Sequence, residues 1–182
     1  MKKIKLLINH VARFVMSGES YARFIGVKIG NNCSISTKKF PSEPYLIEIG
    51  DFCRIANDVK FFTHGGVWSQ ARKLNKSLEH FGKIKIGNYT YIGDGCLIMA
   101  GVVIGNDVIV GAGTVVTKSI PDGVMVAGNP MRYIGRTSDL VQRLEALNVM
   151  PNSRSLKGAA RRQYIMNIPD EKMDHKKTLI VP

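Results

Sequence analysis

Of the four histidines in this chain of 182 residues, His64 is the one best set for proton transfer. It ends the run Phe61-Phe62-Thr63-His64 and is followed by Gly65-Gly66, where a regular sequence pattern stops until residue 83. Imidazole takes up a proton near neutral pH, so a histidine at the foot of a long loop suits general-base work on a hydroxyl or an amine. The plainer alternative is a histidine that bonds a carbonyl at a turn. His80, on the loop itself, is the reserve base and a candidate substrate contact, whereas His10 and His175 lie outside the pattern. The loop also carries Trp68, the one tryptophan, whose indole is a good platform for a ligand ring. Asp51, Asp58 and Glu79 could each orient the imidazole, and no spacing singles one out.

The element that must hold these groups is a repeat. Over residues 86–121 the chain reads IGNYTY IGDGCL IMAGVV IGNDVI VGAGTV VTKSIP, six consecutive hexads led by Ile86, Ile92, Ile98, Ile104, Val110 and Val116. A second inward candidate follows four residues later each time: Thr90, Cys96, Val102, Val108, Thr114 and Ile120. Asn88, Asp94-Gly95, Gly101, Asn106-Asp107 and Gly113 lie between, residue types that tolerate the left-handed backbone of a tight corner. A period of six fits neither a helix of 3.6 residues per turn nor a simple alternating strand. It predicts a solenoid of short parallel strands in which three hexads complete one triangular coil. Earlier hexads start at Ile29, Ile49 and Ile55, and the inserts fall at 36–48 and 65–83.

If the spiral resumes its register after the second insert, Ile49, Ile55 and Phe61 lie under Ile86, Ile92 and Ile98, about 4.8 Å away. His64 then falls beneath Gly101 at one corner, with Ser119 in the next coil. Ala100-Gly101 and Ala112-Gly113 are small enough for an extended ligand arm to approach the backbone at that corner. Lys118, Arg132 and Arg136, at the end of the solenoid, supply cations suited to phosphate groups.

The six hexads, with Lys118-Ser119-Ile120-Pro121 and the run Val126-Ala127-Gly128-Asn129-Pro130, closely resemble the hexapeptide-repeat acyltransferases. That family includes maltose, galactoside and xenobiotic acetyltransferases. The resemblance spans roughly residues 25–136, inserts excepted, and implies an all-β solenoid that is a left-handed parallel β-helix. The handedness comes from the resemblance alone and runs against the usual right-handed crossover. The same resemblance implies acetyl-CoA as acyl donor, held in a groove along the coils. The cofactor candidates are then Ala100, Gly101, Ala112, Gly113, Lys118, Arg132 and Arg136, with Lys118 at the family's lysine position. It also implies a homotrimer with sites between subunits and a loop that helps to form the acceptor pocket, which gives Trp68 and His80 a substrate-binding role. Met131 departs from the pattern, where the family more often has alanine.

The implied reaction is O-acetylation of a sugar or surface-polysaccharide hydroxyl with His64 as general base. N-acetylation of a nucleotide-linked amino sugar would use the same base and donor. A zinc hydratase on this fold is disfavoured, because catalytic zinc needs about three protein ligands and no second and third histidine occupy the hexads near His64. No metal is therefore expected. A non-catalytic trimeric scaffold is the remaining reading.

The length predicts a single domain over 1–182: an N-terminal helix over 1–22, the β-helix over 25–136, and a C-terminal helix and tail over 138–182. Twenty-six Lys and Arg against fourteen Asp and Glu give a net charge of +12. The cations are scattered and no nucleic-acid motif accompanies them, so no nucleic-acid partner is expected; an anionic ligand or an acidic membrane surface accounts for the charge. Cys33, Cys53 and Cys96 each take the fifth place of a hexad and read as small core residues of a reducing, cytoplasmic compartment. Ile4, Leu7, Ile8, Val11, Phe14 and Val15 line one helix face, with Lys2, Lys3, Lys5 and Arg13 elsewhere. Such a helix packs on the β-helix or a neighbouring subunit, or rests peripherally on the inner membrane face. No segment is long enough to span a bilayer. Beyond Ser138-Asp139, Leu140, Leu144 and Leu147 have helical spacing, and the basic stretch 151–182 is an arm or a flexible tail.

Overall fold

Two helices precede the repeat where the pattern predicts one. The structure is a computed structural model that describes residues 2–66, 68–75, 77–147, 155–173, 175 and 178, with the backbone alone for 2–6, 68 and 147. Helix α1 (Lys2–Val15) and helix α2 (Gly18–Phe24) are separated at Ser17, whose hydroxyl accepts a bond from Ser20 N at 3.2 Å and caps the second helix. A Cβ on Gly18 would run into the backbone of Ile35 and Ser36, so only glycine lets α2 sit this close to the first coil. Along α1, Ala12 is buried while Leu7, Ile8, Val11, Phe14 and Val15 are 50–76% exposed. The chain's own coils leave this apolar stripe uncovered.

The spiral starts with β1 (Lys28–Ile29) and β2 (Ser34–Ile35). After the first insert come β3 (Ile47–Ile49), β4 (Arg54–Ile55) and β5 (Lys60–Phe61). The second insert contains the short helix α3 (Trp68–Ala71) and leads into β6 (Ile84–Ile86), β7 (Tyr91–Ile92) and β8 (Leu97–Ile98). The next coil is β9 (Val103–Ile104), β10 (Ile109–Val110) and β11 (Val115–Val116), and β12 (Val124–Ala127) with β13 (Arg132–Arg136) ends the solenoid. These strands form three sheets, which are the three faces of the coil: β1-β3-β6-β9, then β2-β4-β7-β10-β12-β13, then β5-β8-β11. All pairings are parallel except that of β12 with β13, which folds back antiparallel.

The register follows the hexads. Ile49 pairs with Ile86, Ile55 with Ile92 and Phe61 with Ile98, so the long insert leaves the three-sided phase intact. The first residues of the hexads are sealed inside, with Ile55, Ile92, Ile98, Val110 and Val116 at 0% exposure, and the fifth-place Thr90, Cys96, Val102, Val108 and Thr114 join them. Burial pushes the Cys53 thiol up to about 11 and raises that of Cys96, so these sulfurs pack and do not react.

One edge explains the Asn and Asp of the third place. Asp51, Asn88, Asn106 and Asp122 each turn a side-chain oxygen to the backbone N–H of the coil before, at 2.6–2.8 Å, forming a ladder from Asn31 N to Asn106 N. Gly50, Gly87 and Gly105 make room for it, since a Cβ on each would strike the backbone of the next coil. Residues 1–137 form one compact unit and 138–182 a second. The second unit holds most of α4 (Thr137–Leu147), and then α5 (Gly158–Met166) and a 3-10 turn at Asp170–Lys172, so part of the basic tail is helical. Arg154, Lys176 and Lys177 lie outside the described residues.

Candidate functional site

The edge between the third and first faces carries the second insert, and its neck is built by His64. His64 bridges Phe81 in antiparallel fashion, and Gly65 N donates to His80 O at 3.4 Å. The chain then returns through Gly82, whose N–H donates to Thr63 O at 2.8 Å. Gly82 lies so close to the next coil that a Cβ there would come within 2.8 Å of the Ala100 carbonyl carbon and run into Gly101. This corrects the expectation that His64 itself sits under Gly101. The insert leaves and re-enters at one corner, and its returning glycine takes the stacked place while His64 turns outward.

The imidazole is held by a residue that the hexad pattern does not reach. Glu43 Oε2 lies 2.8 Å from His64 Nδ1 and accepts a 2.8 Å bond from the hydroxyl of the buried Thr63. Glu43 belongs to the first insert, just ahead of the buried Pro44, which opens the 3-10 turn Pro44–Leu46 and fixes the re-entry into β3. Burial works to raise the Glu43 carboxyl, but the bonds from Thr63 and His64 outweigh it, and the group is held below its ordinary value. An ionised carboxylate only accepts, so Nδ1 carries a proton, and in the neutral ring the lone pair is left on Nε2. The His64 side chain is 48% exposed against 17% for Glu43, so the imidazole stands toward solvent with the carboxylate behind it. Of the carboxylates weighed from sequence, Glu79 lines the same cavity, Asp58 pairs with Lys39, and Asp51 belongs to the backbone ladder.

In front of the pair is a cavity of about 270 Å³ lined by Glu43, His64, Arg72, Glu79, His80 and Phe81. The Phe81 ring stands edge-on to the imidazole with centroids 6.3 Å apart. His64 and His80 thus line one cavity. Trp68 begins α3 in the same insert, and its side chain lies outside the described residues.

The candidate cofactor residues divide between edges. Ala100, Gly101 and Lys118 share the edge of His64, where Ser119 Oγ accepts a 3.0 Å bond from Val103 N. Ala112 and Gly113 do not: Gly113 N donates to Asp94 O at 2.8 Å, on the edge between the second and third faces. The expectation of one shared corner is corrected on this point, because hexads at 98 and 110 are two faces apart and only steps of three return to the same edge. At both Gly101 (φ +81°) and Gly113 (φ +70°) a Cβ would meet nothing within 4 Å, so the outer side of each of these two glycines is open. Arg132 and Arg136 stand at opposite ends of β13, facing Ala127 and Val124. Among the described residues, no group of three or more His, Cys, Asp or Glu could hold a metal ion, and no helix is long and apolar enough to cross a membrane.

Residues 83–118 match the family described as Bacterial transferase hexapeptide (six repeats). The protein CapG of Staphylococcus aureus is 48% identical over 120 residues, covering 64% of this chain and 69% of CapG. The galactoside O-acetyltransferase of Escherichia coli (strain K12) is 34% identical over 113 residues, covering 62% of this chain and 55% of that protein. Among solved structures, a galactoside acetyltransferase in complex with coenzyme A superposes with a TM-score of 0.54 at 28% identity, covering 68% of this chain and 72% of the other.

Proposed function

The chain belongs to the bacterial transferase hexapeptide family, and from that premise we propose that it is an acetyl-CoA-dependent O-acetyltransferase acting on a sugar hydroxyl with His64 as general base. The observation that carries this reading is the Glu43–His64 pair at 2.8 Å, at the mouth of a cavity bounded by the long insert. Glu43 fixes the Nδ1–H tautomer and supports the imidazolium that forms, and Thr63 keeps the carboxylate in place. Nε2 accepts the hydroxyl proton as the acceptor oxygen bonds the thioester carbonyl carbon. The carbon–sulfur bond then breaks, and His64 returns the proton to the departing thiolate of coenzyme A.

The donor is acetyl-CoA, as the coenzyme A-bound relative supports. Lys118 and the open side of Gly101 are the groups of the His64 edge that would receive it, with Lys118 on the phosphates. Ala112, Gly113, Arg132 and Arg136 reach the same donor only from a neighbouring chain. A homotrimer with sites between subunits is therefore part of the proposal, as are the left-handed sense of the coil and a single working domain. Trp68 and His80 take the acceptor. The uncovered apolar stripe of α1, on a helix with no acidic residue, supports peripheral contact with an anionic membrane face.

A mass-spectrometric screen with acetyl-CoA against free sugars, nucleotide-linked amino sugars and lipid-linked oligosaccharides tests the proposal. Alkali-labile O-acetyl products are expected. N-acetyl products on an amino sugar would replace the O-transfer reading, and coenzyme A binding without any product would leave a scaffold.

A further inference from the structure

A cationic groove leads away from His64 along the third face. It is about 520 Å³ in volume and has His64 at one end, with Arg13, Lys39, Lys60 and Phe62 along it. Through Arg13 and Lys39 it runs on into a second groove of about 420 Å³, which adds Lys38 and Asp58. The wall is stiff. Phe40, from the first insert, stacks on Phe61 of β5 with rings 5.5 Å apart and 5° from parallel, which holds the extended segment across the third face.

The charge in this groove is uneven. Among the described residues, Arg13, Lys38, Lys39 and Lys60 are answered by one lining carboxylate, Asp58, which pairs with Lys39 at 2.6 Å. Three positive charges are left along one side of the candidate base. Lys60 precedes His64 by four residues, a backbone reach of at most about 14 Å, and both line the groove, so a substituent of a sugar ring held at Nε2 can extend along it toward these cations. A neutral acceptor gains nothing from them, and a single carboxylate would answer one. A diphosphate attached to the sugar answers two or three.

We propose that this groove binds the diphosphate of an activated acceptor, so that the substrate is a glycosyl diphosphate and not a free sugar. The inference rests on the O-acetyltransferase reading of His64 and names the substrate class of that site. The donor's own phosphates do not compete for the groove, because Lys118 and Gly101 belong to coils on the other side of His64. Nucleoside-diphosphate sugars and polyprenyl-diphosphate sugars share this chemistry. The first would place its base, and the second its lipid, at the outer end near Phe14, which lines the second groove.

The test has a binding arm and a transfer arm, both on the full chain. In the first, inorganic pyrophosphate is titrated by calorimetry with coenzyme A saturating. Binding is expected, and the double variant Arg13→Gln/Lys60→Gln should weaken it roughly tenfold or more, with Arg13→Lys/Lys60→Arg retaining most of it. In the second, kcat/KM is compared for one sugar presented free, as a nucleoside diphosphate ester and as a polyprenyl diphosphate ester. The diphosphate esters should exceed the free sugar, and the ratio should fall toward one in the glutamine double variant; the better ester identifies the source. Pyrophosphate binding that is unchanged in that variant, or that coenzyme A abolishes, overturns the proposal. So does a free sugar that matches both esters. If no acceptor is acetylated while pyrophosphate still binds through Arg13 and Lys60, the transferase reading has failed and the groove has not.

Discussion

Replacing Glu43 by Gln removes a charge while leaving an oxygen where His64 Nδ1–H and the Thr63 hydroxyl can still donate. Both bonds are 2.8 Å long and converge on one oxygen, so the substitution tests charge more than shape. Hydrogen bonds to a charged group contribute about 1.5–3 kcal/mol against about 1 for a neutral pair. The imidazolium that forms as the acceptor attacks thus loses roughly 0.5–2 kcal/mol of support, a fall in kcat of about 2–30-fold. The effect belongs to the transition state, so affinity for coenzyme A and the acceptor KM should hardly move. Initial rates with saturating acetyl-CoA, alongside calorimetry for coenzyme A, give both quantities. An unchanged kcat would refute the argument, and so would a loss that appears wholly in coenzyme A affinity.

Other expectations follow from the same contacts. The Glu43 carboxyl is held below its unfolded value of about 4.5, so its contribution to stability is complete above that value and lost as pH falls through the folded one. The midpoint of thermal unfolding should therefore drop less steeply on acidification in Glu43→Gln than in wild type, as differential scanning calorimetry below pH 5 would reveal. Gly87→Ala would push a Cβ to 2.6 Å from the Gly105 carbonyl carbon, an overpacking expected to cost roughly 1–3 kcal/mol in urea unfolding. Gly113→Ala meets no atom and should lose about 1–2 kcal/mol, all of it from its left-handed φ. Lys118→Ala should weaken coenzyme A binding by about 1.5–3 kcal/mol in calorimetry, with the thermal midpoint unchanged.

The hexads made the coil legible because burial repeats with them: one inward residue at the first place and another at the fifth specify three faces, and Phe61 over Ile98 followed from counting alone. The inserts were opaque for the same reason. Glu43 sits in a stretch with no period, its partner is 21 residues away, and its one local sign is an acid ahead of a proline. Gly113 was set on the wrong edge by matching its Ala-Gly pair to that of Gly101, where counting hexads in threes separates them. At the N-terminus, Gly18 marks a break in the sequence, but the seven residues of the second helix are too few to show a period of their own, and Ser17 shows itself as a cap only once Ser20 is seen to donate to it. Phe52 and Tyr89 have positive φ at corners where Asn, Asp or Gly is the usual choice, and their rings stack 4.8 Å apart. That cross-coil contact has no signature along the chain.

In the proposed reaction His64 takes a proton from the acceptor during acetyl transfer. The decisive comparison is of wild type with His64→Ala for acceptor-dependent release of coenzyme A, read by thiol titration, at matched saturation with acetyl-CoA. A fall in kcat of about 10²–10⁴-fold is expected in His64→Ala with coenzyme A affinity nearly unchanged, while His80→Ala alters the acceptor KM at most. Retained turnover in His64→Ala together with its loss in His80→Ala would overturn this role for His64 and move the base onto the insert.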